Sequence, residues 1–437
     1  MKSDTRFEHL KLDSRLIGRL SQNGLEFATP IQARLIPMLL NDANVIASAK
    51  TGSGKTLAFL LPVIDRLLAN PTKYHYPKVF VLAPTKELAS QLYKVAWEYT
   101  KSLGVEVAIL QGGSNRQKER ERLKKGVDIV IATPQRANEH IEARDLDIKS
   151  IKTFIVDEAD MAFDMGFVGY IEKILAKISP KSQKVIVSAT ITPRVVKLAK
   201  SYIKPIRKVE IDATNKVADT VTHYLYPVLR SKKNELLSWL ISHNNYDRVL
   251  VFVRKKEIAD SLEERLKEWD YKVGVLHGQK LHNERRKALN DFKNGKLRVL
   301  IATDIVARGL DIEGLDIVLN YDIPHVKQDF IHRVGRTGRA GREGMAITLV
   351  SLDEIEQLKD LYKLLGEKIK EIIVPEYCPK EVKARGYLLH TPQKARHKKS
   401  NSKKPTSILN KKGKKRKVTK RDGFKILDAR NRAKAKK

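Results

Sequence analysis

Short, strongly apolar runs recur through this sequence at helix-sized intervals, and they do so in two successive sets. The first set is Val45-Ile46, VFVLA (79–83), VAIL (107–110), IVIA (129–132), TFIVD (153–157) and VIVS (185–188). The second is VLVFV (249–253), VGVL (273–276), RVLIA (298–302), DIVLN (316–320) and AITLV (346–350). Runs this apolar offer no polar face to water, so they belong to sheets covered on both sides, and helix-sized spacers make neighbouring strands parallel. The expected fold class is therefore α/β, with two tandem domains at residues 1–212 and 223–375, a polar linker at 213–222, and a tail at 376–437. Ahead of the first run, Leu12, Leu16 and Leu20, and then Ile31, Leu35, Ile36 and Leu39, recur at helical spacing as a helical prelude.

The segment ASAKTGSGKT (47–56) follows the first apolar run and leads into LAFLLPVIDRLL. A strand, a glycine-broken loop and a helix start give a concave set of backbone N–H groups, which is where polyphosphate binds. Gly52 and Gly54 let the backbone close around phosphates, Lys55 reaches the β- and γ-phosphates, and the Thr56 hydroxyl is placed to ligate Mg²⁺. Ala49 stands where the general pattern has its first glycine.

Such a loop needs a metal-holding carboxylate at the end of another strand. Asp157 follows directly on an apolar run and Glu158 comes next; the pattern assigns Mg²⁺ to the first and activation of water to the second, which makes the reaction ATP hydrolysis. In the second half, HRVGRTGRAGREG (332–344) spaces Arg333, Arg336 and Arg339 three apart. On a helical turn that spacing directs the guanidiniums to one side, suited to phosphate oxygens. An arginine delivered by a second domain stabilises γ-phosphate charge only when the cleft is shut.

The charge is lopsided. From Glu376 to Lys437 there are 23 Lys and Arg against 4 Asp and Glu, which is +19 of the chain's +34. A like-charged block with few large apolar residues cannot order itself by burial and attracts polyanions, nucleic acid first among them. A solubilising role, or a localisation signal in KKGKKRK, is the alternative reading of the tail. The 42% apolar content supports real cores, no run of 18 apolar residues is present, and Cys378 is the only cysteine, so neither a membrane span, nor an internal disulfide, nor a cysteine-based metal site is expected.

Taken in order, ATPIQ, AKTGSGKT, PTKELA, DEAD, SAT, ATDIVARGLD and HRVGRTGR resemble the motif series of DEAD-box ATP-dependent RNA helicases, over about residues 7 to 350. The resemblance implies two tandem RecA-like domains, ATP and Mg²⁺ as cofactors, and RNA as partner. It implies that Gln32 reads adenine with Thr29 and Phe7 in support, and that the loop Ala49, Lys50, Thr51, Gly52, Ser53, Gly54, Lys55 and Thr56 holds phosphate and metal. Asp157 would bind Mg²⁺ and Glu158 activate water. Ser188 and Thr190 would link Asp160 to domain closure, Asp311 would contact the ribose, and Arg336 and Arg339 would meet the γ-phosphate, while His332 and Arg333 bridge the domains.

An RNA track is implied at Pro84, Thr85, Lys86, Gly113, Thr133, Pro134 and Arg136 of the first domain, continued by Gly278, Arg285 and Thr303 of the second. Small and cationic groups grip a sugar-phosphate backbone and do not read bases, so binding should be indifferent to sequence and weaken with salt. Departures from the family pattern stand at Leu25, Ala28, Lys86, Gln135 and His282. The compact core with its lysine-rich tail resembles bacterial proteins of ribosome assembly or RNA turnover, with ribosomal precursor particles or RNA-decay proteins as partners, a monomeric core, no membrane, and a cytoplasmic location; a eukaryotic nucleolar protein would carry a similar tail. The rival readings are an RNA chaperone or scaffold acting through the tail, a DNA helicase, and a P-loop NTPase that binds no nucleic acid.

Overall fold

The computed structural model describes residues 3–49, 52–71, 76–211, 220–307, 312, 315–338 and 343–383. The front lobe contains β1 (Val45–Ser48), β2 (Val79–Leu82), β3 (Val107–Leu110), β4 (Ile129–Ala132), β5 (Thr153–Val156), β6 (Gln183–Ser188) and β7 (Arg207–Glu210). They pair, all parallel, in the order β3-β4-β2-β5-β6-β1-β7. The rear lobe contains β8 (Val221–Pro227), β9 (Val249–Val253), β10 (Val273–Leu276), β11 (Val299–Thr303), β12 (Ile317–Asn320), β13 (Gly344–Val350) and β14 (Ile369–Glu371). Their order, β10-β11-β9-β12-β13-β8-β14, repeats the front sheet strand for strand.

Apolar clusters cover both faces of each sheet, because successive side chains of a strand point to opposite faces. In the front lobe Val79 and Val81 face one core with Phe59 and Leu35, while Phe80 and Leu82 face the other with Ile171 and Val195. Phe80 and Phe154 meet edge to face there, with ring centroids 5.5 Å apart. In the rear lobe Val249 and Val251 face one core and Leu250 and Phe252 another. Since both faces of a central strand are covered, continuous apolar runs rather than alternating ones mark it in the sequence.

The helical prelude forms as Ser14–Gln22 and Pro30–Leu40. Asp13 caps the first by accepting from the Arg15 N–H at 2.9 Å, and Leu16 and Leu20 are fully buried. Three strands escaped the sequence reading, β7, β8 and β14. β7 buries only Val209 of its four residues, and β8 interleaves Thr222, His223 and Tyr224 with its apolar positions. Strand β8 begins at Val221, inside the segment assigned to the linker; residues 212–219 of that linker lie outside the described residues. The rear lobe also runs past residue 375: Tyr377, Cys378 and Val382 are buried, and the Tyr377 carbonyl accepts from Leu229 at 2.9 Å. The basic tail beyond 383 lies outside the described residues.

His223 in β8 is 3% exposed, lies 6.0 Å from the Phe330 ring, and has its pKa pushed down to about 4, first by burial and then by the charge of Lys368. An unfolded histidine titrates near 6.5. Between that value and about 4 the unfolded chain takes up a proton the folded lobe refuses, so stability falls as pH falls through this window. Denaturant unfolding followed by tryptophan fluorescence should show the parent losing about 2 kcal/mol more than His223→Leu between pH 7 and pH 5.

Candidate active site

The phosphate loop runs off the carboxyl end of β1 into helix Lys55–Ala69, whose N-cap is Gly54 at φ 90°. That left-handed backbone is open to glycine and costly for any other residue. Space gives a second reason: a Cβ on Gly54 would sit 2.5 Å from Gln32 Nε2. Gln32 spans two elements, donating to the Gly54 carbonyl at 3.1 Å and accepting from the Thr29 N–H at 2.8 Å. The prelude is thereby tied to the loop, with Gln32 buried at its N-terminus. Phe7 is buried in the front-lobe core and supports this segment from inside. Lys50 and Thr51 lie outside the described residues.

Lys55 is the first residue of its helix and is 6% exposed. Its ammonium donates to the Ala49 carbonyl at 2.8 Å and stands 3.5 Å from Glu158 Oε1. Asp157 and Glu158 come from the end of β5, two strands away across β6. Burial, with the neighbouring Glu158 charge second and against the pull of Lys55, pushes the Asp157 carboxyl up to about 7. A carboxylate so short of countercharge is suited to a divalent cation, and Mg²⁺ is commonly held by one or two carboxylates together with phosphate oxygens. Ser53 Oγ is buried and has no hydrogen-bond partner among the described residues, as fits a loop shaped for a ligand's oxygens. Glu158 itself sits at φ 45°, ψ 53°, a strained conformation for a residue with a Cβ.

Strand β6 carries Ser188 to the gap between the loop and the carboxylates. Asp160 Oδ2 accepts from the Thr190 N–H at 2.9 Å and from its hydroxyl at 2.7 Å, and the Asp160 N–H donates to Ser188 Oγ at 3.2 Å. Ser48, at the end of β1, donates to the Ala189 carbonyl at 3.0 Å. One hydrogen-bonded set thus joins β1, β6 and the helix after β5. The pKa of Asp160 is held low against its burial, with His332 of the rear lobe the leading cause and the Thr190 bond next.

From the rear lobe, Arg336 lines the same cleft of about 910 Å³ as Lys55, Thr56, Asp157 and Glu158. Arg333 does not: it is 1% exposed, its Nη2 bonds Asp304 Oδ2 at 2.7 Å, and its Nη1 bonds the Asp322 carbonyl at 2.6 Å. The expectation that Arg333 bridges the domains is corrected to a bond within the rear lobe. The physical reason is that the buried guanidinium is already satisfied by Asp304 and the Asp322 carbonyl of its own lobe; the helix Lys327–Val334 also ends before Gly335, so the three-residue spacing does not hold Arg333 and Arg336 on one side. Arg285, expected on the RNA track, pairs with Glu87 of the front lobe at 2.9 Å. Asp311 and Arg339 lie outside the described residues.

The other track residues follow the strands at the opposite half of each carboxyl edge. Pro84, Thr85 and Lys86 come after β2, Gly113 after β3, and Thr133, Pro134 and Arg136 after β4; Gly278 follows β10 and Thr303 ends β11. Lys86 lies across Gly113 (φ 83°), where a Cβ would be 3.0 Å from its Nζ. The loop around Gly113 has a buttress that no motif pointed to. Glu119 accepts from the Gln111 N–H at 2.9 Å and meets His140 Nε2 at 2.9 Å, and His140 Nδ1 meets Asp145 at 3.2 Å. Arg136 reaches the Ser114 carbonyl at 3.3 Å and Glu139 at 2.9 Å. Among the departures, Ala28 is buried, Leu25 is exposed, Gln135 reaches Glu139 at 3.3 Å, and the side chain of His282 lies outside the described residues.

Two parallel sheets of one strand order, with a phosphate loop on the first strand of the front sheet and arginine-bearing loops on the rear, define a tandem RecA-like P-loop protein. Profiles described as DEAD/DEAH box helicase and helicase conserved C-terminal domain match residues 29–199 and 232–341. The ATP-dependent RNA helicase RhlB of Pseudomonas aeruginosa is 36% identical over 372 residues, covering 84% of this chain and 94% of the relative. RhlB of Xanthomonas axonopodis pv. citri is 36% identical over 341 residues, 76% of this chain, and the match spans only 60% of that relative's length. The solved structure of S. cerevisiae Dbp5 bound to RNA and ADP BeF3 superposes with a TM-score of 0.76 at 28% identity, covering 85% of this chain and 96% of that one. This chain belongs to the DEAD-box ATP-dependent RNA helicases.

Gly54→Ala should weaken ATP binding at least about tenfold, because the added methyl needs both a strained backbone and displacement of Gln32. A fluorescent-nucleotide titration measures it; unchanged affinity would count against the tight packing of Gln32 on the loop.

Proposed function

We propose that this protein is an RNA-stimulated ATPase that locally separates short RNA duplexes and remodels RNA–protein complexes. The observation that carries the reading is the cleft in which Lys55, Asp157 and Glu158 of the front lobe share one space with Arg336 of the rear lobe. In this reading the loop and Lys55 hold the phosphates, Thr56 and Asp157 hold Mg²⁺, which supplies countercharge when bound, and Glu158 takes the proton of the attacking water. Arg336 and Arg339 complete the site, Asp311 meets the ribose, and Gln32 reads adenine with its remaining amide hydrogen and lone pair.

ATP and RNA each favour the closed arrangement because their contacts draw on both lobes. RNA lies along the other half of the carboxyl edges, on Lys86, Gly113, Thr133, Arg136, Gly278 and Thr303. The tail, with +19 of the chain's charge, tethers the enzyme to structured RNA and raises the local concentration of substrate. Ribosome assembly or RNA turnover, in a bacterial cytoplasm, is the biology this design suits.

ATP turnover should rise on addition of RNA and fall to background in Glu158→Gln while ATP binding persists; equal turnover with and without RNA would overturn the coupling. Removing residues 384–437 should flatten the dependence of RNA affinity on salt, since every phosphate that the shortened chain leaves unneutralised reduces the slope of log affinity against log salt by roughly 0.7 to 0.9. If Glu158→Gln cells grew like the parent, the scaffold reading, carried by the tail's charge, would replace the enzymatic one.

A further inference from the structure

The rear sheet repeats the front sheet strand for strand, and the repeat extends to a charge pair that no motif marks. Lys55 is the first residue of the helix that follows β1, the strand between β6 and β7. Lys233 is the first residue of the helix that follows β8, the strand between β13 and β14. Glu158 lies two residues past the end of β5, and Asp322 two residues past the end of β12, its counterpart in the rear sheet. Lys55 stands 3.5 Å from Glu158, and Lys233 stands 3.5 Å from Asp322. In the front lobe the ammonium faces the cleft assigned to phosphate. In the rear lobe it meets Glu354 Oε2 at 2.6 Å.

Glu354 is 1% exposed; with Ser351 it closes the capping box of the turn Leu352–Glu354, and together with the groups from other elements the donors around it make a set that a phosphate group would also take. Oε2 accepts from Ser351 Oγ at 2.9 Å and from the Ser351 N–H at 3.2 Å. Oε1 accepts from the Ile323 N–H at 3.0 Å and lies 3.5 Å from Arg254 Nη2. Two backbone N–H groups, a hydroxyl, an ammonium and a guanidinium thus converge on one carboxylate. A cleft of about 810 Å³, lined by Lys233, Arg254, Asp322 and Glu354 among others, opens this cluster to solvent.

We propose that the rear lobe retains a phosphate-binding site which its own Glu354 carboxylate fills. The site takes a single tetrahedral anion of the phosphate class and not a nucleotide. Where the front lobe has a glycine loop before its lysine, the rear lobe has the short turn Arg230–Lys232, which supplies no nest for a polyphosphate chain. Filling by Glu354 leaves the native chain with one nucleotide site, in the front lobe, and neutralises a lysine that is buried at 3% exposure. The inference rests on the front-lobe reading only for the identity of the ligand, since the donor set around Glu354 stands by itself.

The test is thermal unfolding of full-length Glu354→Ala in a Trp97→Phe background, with the front site kept full by Mg-ADP and the fluorescence of Trp239 and Trp269 in the rear lobe as the signal. Truncation leaves a space of roughly a phosphate's size among unpaired donors, so the variant should melt below the parent. Inorganic phosphate should then raise its melting temperature by at least about 3 °C beyond sodium chloride of equal ionic strength. The parent, and the pair Lys233→Met with Glu354→Ala, should show no such excess. A phosphate effect equal to that of chloride, or smaller than that of acetate, overturns the proposal. If Glu354→Ala does not accumulate, Glu354→Ser carries the same comparison. ATP binding is titrated in parallel, so that lost front-site binding and absent phosphate rescue are separate results.

Discussion

The ammonium of Lys55 facing the paired carboxylates at the end of β5 is the interaction on which the front lobe is arranged. Burial penalises charge there, as the Asp157 carboxyl pushed up to about 7 records. Such a cluster persists only where the sheet over-determines it. The order β5-β6-β1 does so, by setting one strand between the lysine's loop and the acids and by using that strand's last residue, Ser188, with Thr190 just past it, to hold Asp160. A site left short of positive charge in this way is ready for a metal and for arginines from elsewhere.

One strand order recurs in both lobes, and Arg336 of the rear lobe lines the front lobe's cleft. Both lobes present the carboxyl ends of their strands as the working edge, the usual place for ligands in open α/β sheets. The front lobe keeps its edge open at the phosphate loop. The rear lobe closes the corresponding corner with Lys233 and Glu354 and fastens Arg333 to Asp304, and Arg336, two residues past the helix that ends at Val334, lines the cleft. The lobes meet through Arg285 and Glu87, and the charge of His332 in the rear lobe acts on Asp160 in the hydrogen-bonded set around β6.

The central strands were legible because burial on both faces leaves an unbroken apolar run, as in VFVL and VLVFV. Strands β7, β8 and β14 were not, since RKVE, VTHYLYP and IKE put polar groups among their apolar ones and do not announce a buried sheet. The phosphate loop and the Asp157-Glu158 pair were legible because their chemistry demands particular residue types at fixed spacing. The resemblance gave Arg333 a bridging role, but its partners Asp304 and the Asp322 carbonyl lie 29 and 11 residues away and only the fold brings them around it. Glu119 and His140 carried no local signal, because each matters through the other at a separation of 21 residues; Glu87 and Asp304 stand inside quoted motifs, but their partners Arg285 and Arg333 are far away in sequence and nothing local names them.

In the proposed mechanism a guanidinium from the rear lobe completes a hydrolytic site built in the front lobe. ATP turnover by Arg336→Ala at saturating RNA tests this most directly, with ATP affinity measured on the same preparation. Turnover should fall by roughly 10³-fold or more, the scale expected when a transition-state arginine is removed, while affinity changes little. Turnover at the parent rate would contradict the claim.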